Sequence, residues 1–319
     1  MLQTNIDVAG TGFTVLDRVY ENDRQPFESL GGSCGNVLVS LAMLDRKVAP
    51  VLALGRDSVG DQIVNEFEAA GADTRFISRR HDRLSPILAQ SLNTEIGQHS
   101  FSFTCPETNE EYPRYAPIED YEVSRAEKAL DTCSVFFTDR LSDAILEAMK
   151  LAFNAGAVCY FEPSAMDDEL LFEQALKYTS VLKFSSDRLH EFAGSSDLAE
   201  DTILVATHGS EGLEVFKRGE QSRWFGSVEA RVVRDTCGSG DMVSVGMIDW
   251  IVRHRQSVDS LDAFTGGIRA GQRLAAANCS FAGARGLFSR YGADLARRIM
   301  NNEEIDALSQ LDFFEPAFH

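Results

Sequence analysis

The sequence predicts an α/β fold: a doubly wound, mainly parallel sheet flanked by helices, with a small β-sheet as a lid. Three observations carry this reading. From about residue 36 onward, short apolar runs alternate with amphipathic segments of helical length, the pattern of βαβ units. Several glycine-rich turns fall just after a strand candidate or just before a helix candidate, where ligands of such sheets sit. Two stretches, 13–30 and 75–104, break the rhythm. They read as β-rich without helices, and they flank the first βα region closely enough to pair over its mouth.

Taken in order, residues 6–10 form a short apolar strand, followed by the first β-rich stretch. A helix over 36–44 carries Val37, Leu38, Leu41 and Leu44 on one face. The run 48–54 reads as a strand and 60–70 as a helix. In the second β-rich stretch, polar and apolar residues alternate through Gln98-His99-Ser100-Phe101-Ser102-Phe103-Thr104. Strands at 135–138, 158–161, 181–184 and 203–207 alternate with helices at 142–155, 167–178 and 187–193. A strand at 213–217 and a strand-and-turn at 224–233 lead into a helix over 241–255. There Met242, Val245, Ile248 and Val252 recur at helical spacing, and a last helix follows at 261–278. The tail after Asn301 is acidic and then apolar at Phe313, Phe314 and Phe318.

The chain has 319 residues, 44% of them hydrophobic, enough for one large α/β domain spanning 1–319 with the lid formed by about 13–30 and 75–104. Its net charge of -19 argues against a nucleic-acid partner, although backbone N–H groups and Mg²⁺ still allow a nucleotide. Cys34, Cys105, Cys133, Cys159, Cys237 and Cys279 form no CxxC pair, and no HExxH exists. They read as reduced thiols rather than a disulfide frame or zinc site. No signal-peptide pattern opens the chain and no apolar stretch is long enough to span a bilayer, so a soluble cytoplasmic protein is expected. GxxxxGK[ST] and a complete dinucleotide fingerprint are both missing.

The most informative segment is Asp235-Thr236-Cys237-Gly238-Ser239-Gly240-Asp241. Small residues before a helix leave its first N–H groups open, and with the helix dipole these make an anion site. Asp241 stands at its edge, where a carboxylate can take a proton from a hydroxyl. The same letters also suit an ordinary turn with an acidic first helical turn. Gly31-Gly32-Ser33-Cys34-Gly35-Asn36 offers bare backbone and an amide to a polyol, or simply a helix cap. Gly55–Asp61 and Thr207–Gly212 follow strands; each reads equally as a site loop or as turn chemistry.

In this order the segments resemble the ribokinase-like carbohydrate kinases, the PfkB family, over about residues 6–291. Residues 235–241 look like the family's DTxGAGD signature with serine for alanine. Residues 31–61 resemble its N-terminal signature, and Thr207 to Gly212 its TxGxxG nucleotide segment. The resemblance implies a ribokinase-like fold and transfer of the ATP γ-phosphoryl group, with Mg²⁺, to a hydroxyl of a small sugar or sugar acid. It makes Asp241 the base and the N–H groups of Cys237, Gly238, Ser239 and Gly240 the anion hole. It gives Asp17, Gly31, Gly32 and Asn36 to the sugar, and Thr207, Gly209 and Gly212 to ATP. Asn278 with Ala276 would face adenine, and a monovalent cation such as K⁺ would sit near Asp235. The NxxE motif expected near residues 183–188 is altered, with Ser185 for asparagine and Arg188 for glutamate; Asp187 or Glu191 would have to substitute.

Two other readings compete. A nucleoside kinase would want aromatic rings to stack on a base, which Phe13, Phe101 and Phe103 can supply. A non-catalytic sugar-binding or regulatory protein would explain the altered NxxE. Arg75, Arg79 and Arg140 are candidates to meet a carboxylate or phosphate on the acceptor. The edges of the lid sheet need covering, so a homodimer through the lid is expected.

Overall fold

Strands buried on both faces need apolar side chains at every position, and β1 (Val8–Thr11) is buried throughout. The computed structural model describes residues 6–21, 26–93, 98–187, 198–199 and 201–303. After β1 come β2 (Val15–Glu21) and β3 (Phe27–Gly31), then α1 (Ser33–Met43), β4 (Val48–Pro50), β5 (Leu52–Gly55) and α2 (Ser58–Ala69). Next are β6 (Ile77–Arg80), β7 (Ile87–Asn93), β8 (Gln98–Ser102), α3 (Asp120–Leu130), β9 (Val135–Thr138) and α4 (Asp143–Asn154). The chain continues through β10 (Val158–Phe161), α5 (Glu169–Leu176), β11 (Val181–Ser185), β12 (Ile203–Thr207), β13 (Gly212–Lys217) and β14 (Arg223–Gly226). It closes with α6 (Ser239–Arg253), α7 (Leu261–Asn278) and α8 (Gly286–Met300).

The main sheet runs β14-β13-β12-β11-β10-β9-β1-β4. It is parallel from β4 to β12 and antiparallel at β13 and β14. Alternate strand residues feed two cores. Val8, Val135 and Phe137 join α1, α6, α7 and α8 on one face. Ala9, Phe136 and Phe161 join α3, α4 and α5 on the other. The chain leaves β1 toward β4 and later returns to β1's other side at β9, so a switch point opens beside β1 at the carboxyl ends of the strands.

The β-rich stretches do form a second sheet, ordered β3-β2-β7-β8. Its makeup corrects the expected limits. Residues 77–80 leave it to pair with β5 in a separate two-stranded sheet, so only 87–102 come from the second stretch. The single strand expected over 48–54 is therefore two: β4 pairs with β1, and β5 turns away to β6. The helices α3 and α8 were not expected, and the strand expected within 224–233 is limited to the short β14. The expected helix over 187–193, like the tail phenylalanines, lies outside the described residues apart from Asp187, which sits in a turn. No described helix is long and apolar enough to cross a membrane.

Candidate active site

Four adjacent parallel strands end on one side of the sheet, and three of them deliver charged groups there. Asp139 follows β9, Glu162 follows β10, and Lys183 lies near the end of β11. Asp139 is buried; it accepts from Phe13 N–H at 2.8 Å and from Arg140 Nη1 at 3.0 Å. Burial pushes its carboxyl up to about 6, against the pull of Arg140. Lys183 Nζ is ion-paired with Glu162 Oε1 and donates to Gly240 O at 3.1 Å. Ser244 Oγ donates to the other Glu162 oxygen, and Tyr160 OH lies 3.1 Å from Ser244 Oγ. A buried ionic and hydroxyl network thus supports the first turn of α6 from below.

That first turn follows from its glycines. Gly238 caps α6 with φ +68°, a left-handed conformation that favours glycine, and a Cβ there would lie 2.6 Å from that of Ala284. The sequence reading gave the anion hole four N–H groups, and the structure withdraws two. Cys237 N–H donates to Asp235 Oδ1 at 2.7 Å, and Ser239 N–H to Thr236 O at 3.2 Å. The N–H groups of Gly238 and Gly240 have no backbone partner among the described residues, and α6's positive end lies behind them. Asp241 is in the same turn. Its Oδ2 accepts from Asn36 Nδ2 at 2.8 Å, which joins α6 to α1 across 205 residues. Burial and the neighbouring Glu162 raise its carboxyl to about 7, while Asn36 and Lys183 restrain the rise.

The second sheet closes the site from above. Asp17 on β2 is 8% exposed, with Oδ1 buried and unpartnered. Its carboxylate lies against Gly31, where a Cβ would stand only 1.9 Å from Oδ2, so the glycine permits the approach. Burial lifts Asp17 to about 7; Arg285 opposes this and Glu66 adds to it. Arg285 Nη2 donates to Leu30 O at 2.6 Å and pairs with Glu66 at 3.2 Å; Glu66 in turn accepts from Leu30 N–H at 2.7 Å. The Gln90 side chain of β7 bears on the Cys237 thiol and lowers its pKa. That thiol is pushed up by burial and by Asp235, Asp241 and Asp17, so it senses both site carboxylates. Gly32, the N-cap of α1, lies against the Phe13 carbonyl.

The remaining residues expected at the site fall less uniformly. Thr207 ends β12, its hydroxyl donating to Phe184 O at 3.3 Å. Gly209 is open on a one-turn 3₁₀ helix. Gly212 serves the hairpin, packed against the Phe225 carbonyl. Asn278 was expected to face adenine; instead it is fully buried. Its amide donates to Gly283 O and Ala284 O, and its Oδ1 accepts from Leu287 N–H. It shapes the 283–287 turn and can reach a nucleotide only through that turn. Asp235 accepts from Cys237 N–H and Gly283 N–H, each at 2.7 Å, so it ties two loops together where a cation was expected. No cluster of three or more His, Cys, Asp or Glu side chains suited to a metal exists among the described residues. Asp187 is exposed at the exit of β11, while Arg188 and Glu191 lie outside the described residues.

The loop 55–61 is cap chemistry. Asp57 accepts from Gly60 and Ser85 N–H groups, which hold its carboxyl below the usual range despite burial. Sequence reasoning missed Asp139, Glu162, Gln90 and Arg285 and gave Lys183 no role. The signal for the first two was available: each stands directly after an expected strand.

A family model described as "pfkB family carbohydrate kinase" matches residues 5–287. The chain is 23% identical over 262 residues to a fructokinase of Vibrio alginolyticus, covering 76% of this chain and 83% of that one. It is 26% identical over 257 residues to the aminoimidazole riboside kinase of Salmonella typhimurium, covering 74% and 78%. A fructokinase structure from Xylella fastidiosa with bound ATP superposes with a TM-score of 0.74 at 19% identity, over 93% of this chain and 98% of the other.

Proposed function

Because this chain belongs to the pfkB family of carbohydrate kinases, we propose that it transfers the γ-phosphoryl group of ATP to a hydroxyl of a small sugar, with Asp241 as the base. The observation that carries this is the first turn of α6. There a carboxylate poised near neutrality stands beside two unpartnered glycine N–H groups at a helix N-terminus. The acceptor oxygen attacks the γ-phosphorus as its proton passes to Asp241. The bond from phosphorus to the bridging oxygen of ADP breaks, and the N–H groups of Gly238 and Gly240 stabilise the phosphoryl oxygens in transit. Asn36 and Lys183 keep Asp241 ionisable, and the second sheet, which brings Asp17 against Gly31, acts as a lid that excludes water.

Mg²⁺ would be carried mainly by phosphate oxygens and water, and it would neutralise charge developing on them. Glu162, 4.0 Å from where a Cβ on Gly240 would stand, can accept from a water bound to the metal. Two of the three rings named for stacking on a base, Phe13 and Phe103, are already engaged, which favours a free sugar over a nucleoside. Arg140 lies over the Phe13 ring at 4.6 Å and Arg114 over Phe103 at 5.1 Å, so each of these rings already carries a guanidinium on one face. Phe13 also packs edgewise against Phe103 and Tyr115.

The test is ADP release with ATP and Mg²⁺ across hexoses and pentoses, with Asp241→Asn beside the native chain. The variant is expected to lose about 10²–10⁴-fold in kcat, with acceptor affinity within a few fold. A variant that keeps near-native turnover removes Asp241 from the reaction.

A further inference from the structure

We infer that the acceptor pocket is built for an uncharged polyol and rejects acceptors that carry a phosphate or a carboxylate; this rests on the kinase reading above and narrows its substrate class. The argument is a balance of charges. The cations bearing most strongly on Asp17, Asp139 and Asp241 are Arg285, Arg140 and Lys183. Each already holds a carboxylate: Arg285 pairs with Glu66, Arg140 with Asp139, and Lys183 with Glu162. Arg285 is further committed to the Leu30 carbonyl, and Arg140 to the Phe13 ring and the Asp139 carbonyl. The other arginines considered from sequence are engaged elsewhere. Arg75 pairs with Asp73, and Arg79 pairs with Asp61 and donates to the Gly55 and Asp57 carbonyls.

With the three cations matched, Asp17 and Asp241 remain as surplus negative charge. Asp17 packs against Gly31, and Asn36, whose N–H donates to Gly32 O, holds Asp241, so the two carboxyls meet the same end of α1. The unsatisfied atoms point to the same ligand. Asp17 Oδ1 and Asn36 Oδ1 are buried without a partner, and Asp17 and Asn36 are 8% and 5% exposed. With Asp17 ionised, both atoms only accept hydrogen bonds, so they call for hydroxyl donors. A sugar supplies O–H groups to both. An acceptor that also carries a carboxylate or phosphate adds a third negative charge next to two uncompensated ones.

The experiment measures kcat/KM with ATP for fructose, ribose and inosine against fructose 6-phosphate and gluconate, and equilibrium binding of the same compounds without ATP. At least one neutral acceptor is expected to exceed both anions by about 100-fold or more, since buried polar groups left facing a wrong partner discriminate strongly. Asp17→Asn is expected to weaken the neutral acceptor and to narrow that ratio by about ten-fold or more, as one surplus charge goes. Binding of a neutral sugar without turnover would sink the kinase reading and leave the charge selectivity standing. Tighter binding or faster turnover of either anion would overturn the inference, and so would failure of every neutral compound to bind.

Discussion

Asn36→Ala isolates how the site sets the ionisation of its base. The Asn36 amide donates to Asp241 Oδ2 at 2.8 Å and is the strongest influence holding that carboxyl down against burial and Glu162. A hydrogen bond to a charged acceptor contributes about 1.5–3 kcal/mol. At about 1.4 kcal/mol per pH unit, its loss raises Asp241 by roughly one to two units from about 7. A base must be ionised to act, so the ascending limb of kcat/KM against pH, near 7 in the native chain, moves to about 8–9. Turnover at pH 7, where the native base is half ionised, falls about 5–50-fold and largely recovers above the new limb. Alanine suits a helix interior, and the truncation also removes the orphaned Asn36 Oδ1, so the fold should hold. The assay is ADP release from pH 5.5 to 9.5 for both proteins. If Asn36 only shaped α1 or only held the sugar, the whole profile would drop with its limb unmoved, and that result would refute the reasoning.

Three further expectations can be checked. Lys183→Met leaves Glu162 charged beneath α6 with Ser244 alone, and breaking a buried pair costs about 3–5 kcal/mol; urea unfolding should show a loss of this order, largely restored in the Lys183→Met, Glu162→Gln double variant, while a loss under about 1 kcal/mol would mean the pair is not truly buried. Asp17 has its folded pKa raised from 3.8 to about 7, so the folded state holds more protons than the unfolded one between those values and stability falls as pH rises through that window; Asp17→Asn should gain on the native chain in urea melts from pH 5 to 7.5, and a constant gap would contradict the assignment. The outer edges of β3 and β8 leave backbone groups to be covered, so light scattering should return a dimer mass that drops when a proline is placed at Ser100; a concentration-independent monomer would rule this out.

What the sequence made legible follows from where the information lies. Strands at the centre of a doubly covered sheet must be apolar at consecutive positions, so β9 to β12 stand out as short runs. Helix α3 does not, because Val123, Ala126, Ala129 and Leu130 are its buried apolar residues, small or few among charges that make the segment read as polar. Helix α8 is hidden by Gly292, whose φ of +73° interrupts the periodicity. The glycine-rich segments of the site were legible because an open helix N-terminus needs small residues in one short stretch. Asp139, Glu162, Lys183 and Arg285 were not, because each is a single residue whose meaning depends on which strand ends beside which. Asn278 failed for the opposite reason: its place beside the signature loop is local, but only packing decides that its amide turns inward.

The charge arrangement also explains why this site is recognised better by its costs than by its motifs. Asp17, Asp139 and Asp241 are all raised toward neutrality, chiefly by burial, and each raised carboxyl lowers stability near pH 7. A pocket selected for stability alone would give each of them a cation or replace it with an apolar residue. The chain instead places Arg285, Lys183 and Arg140 close by and commits each to a carboxylate, two of them to Glu66 and Glu162 and only Arg140 to one of the three. Asp139 is thereby fixed as a structural anchor for the Phe13 backbone, while Asp17 and Asp241 stay without a cation of their own. A proton acceptor for a hydroxyl has to be of this kind, since a carboxylate held far down by an ion pair would be too weak a base.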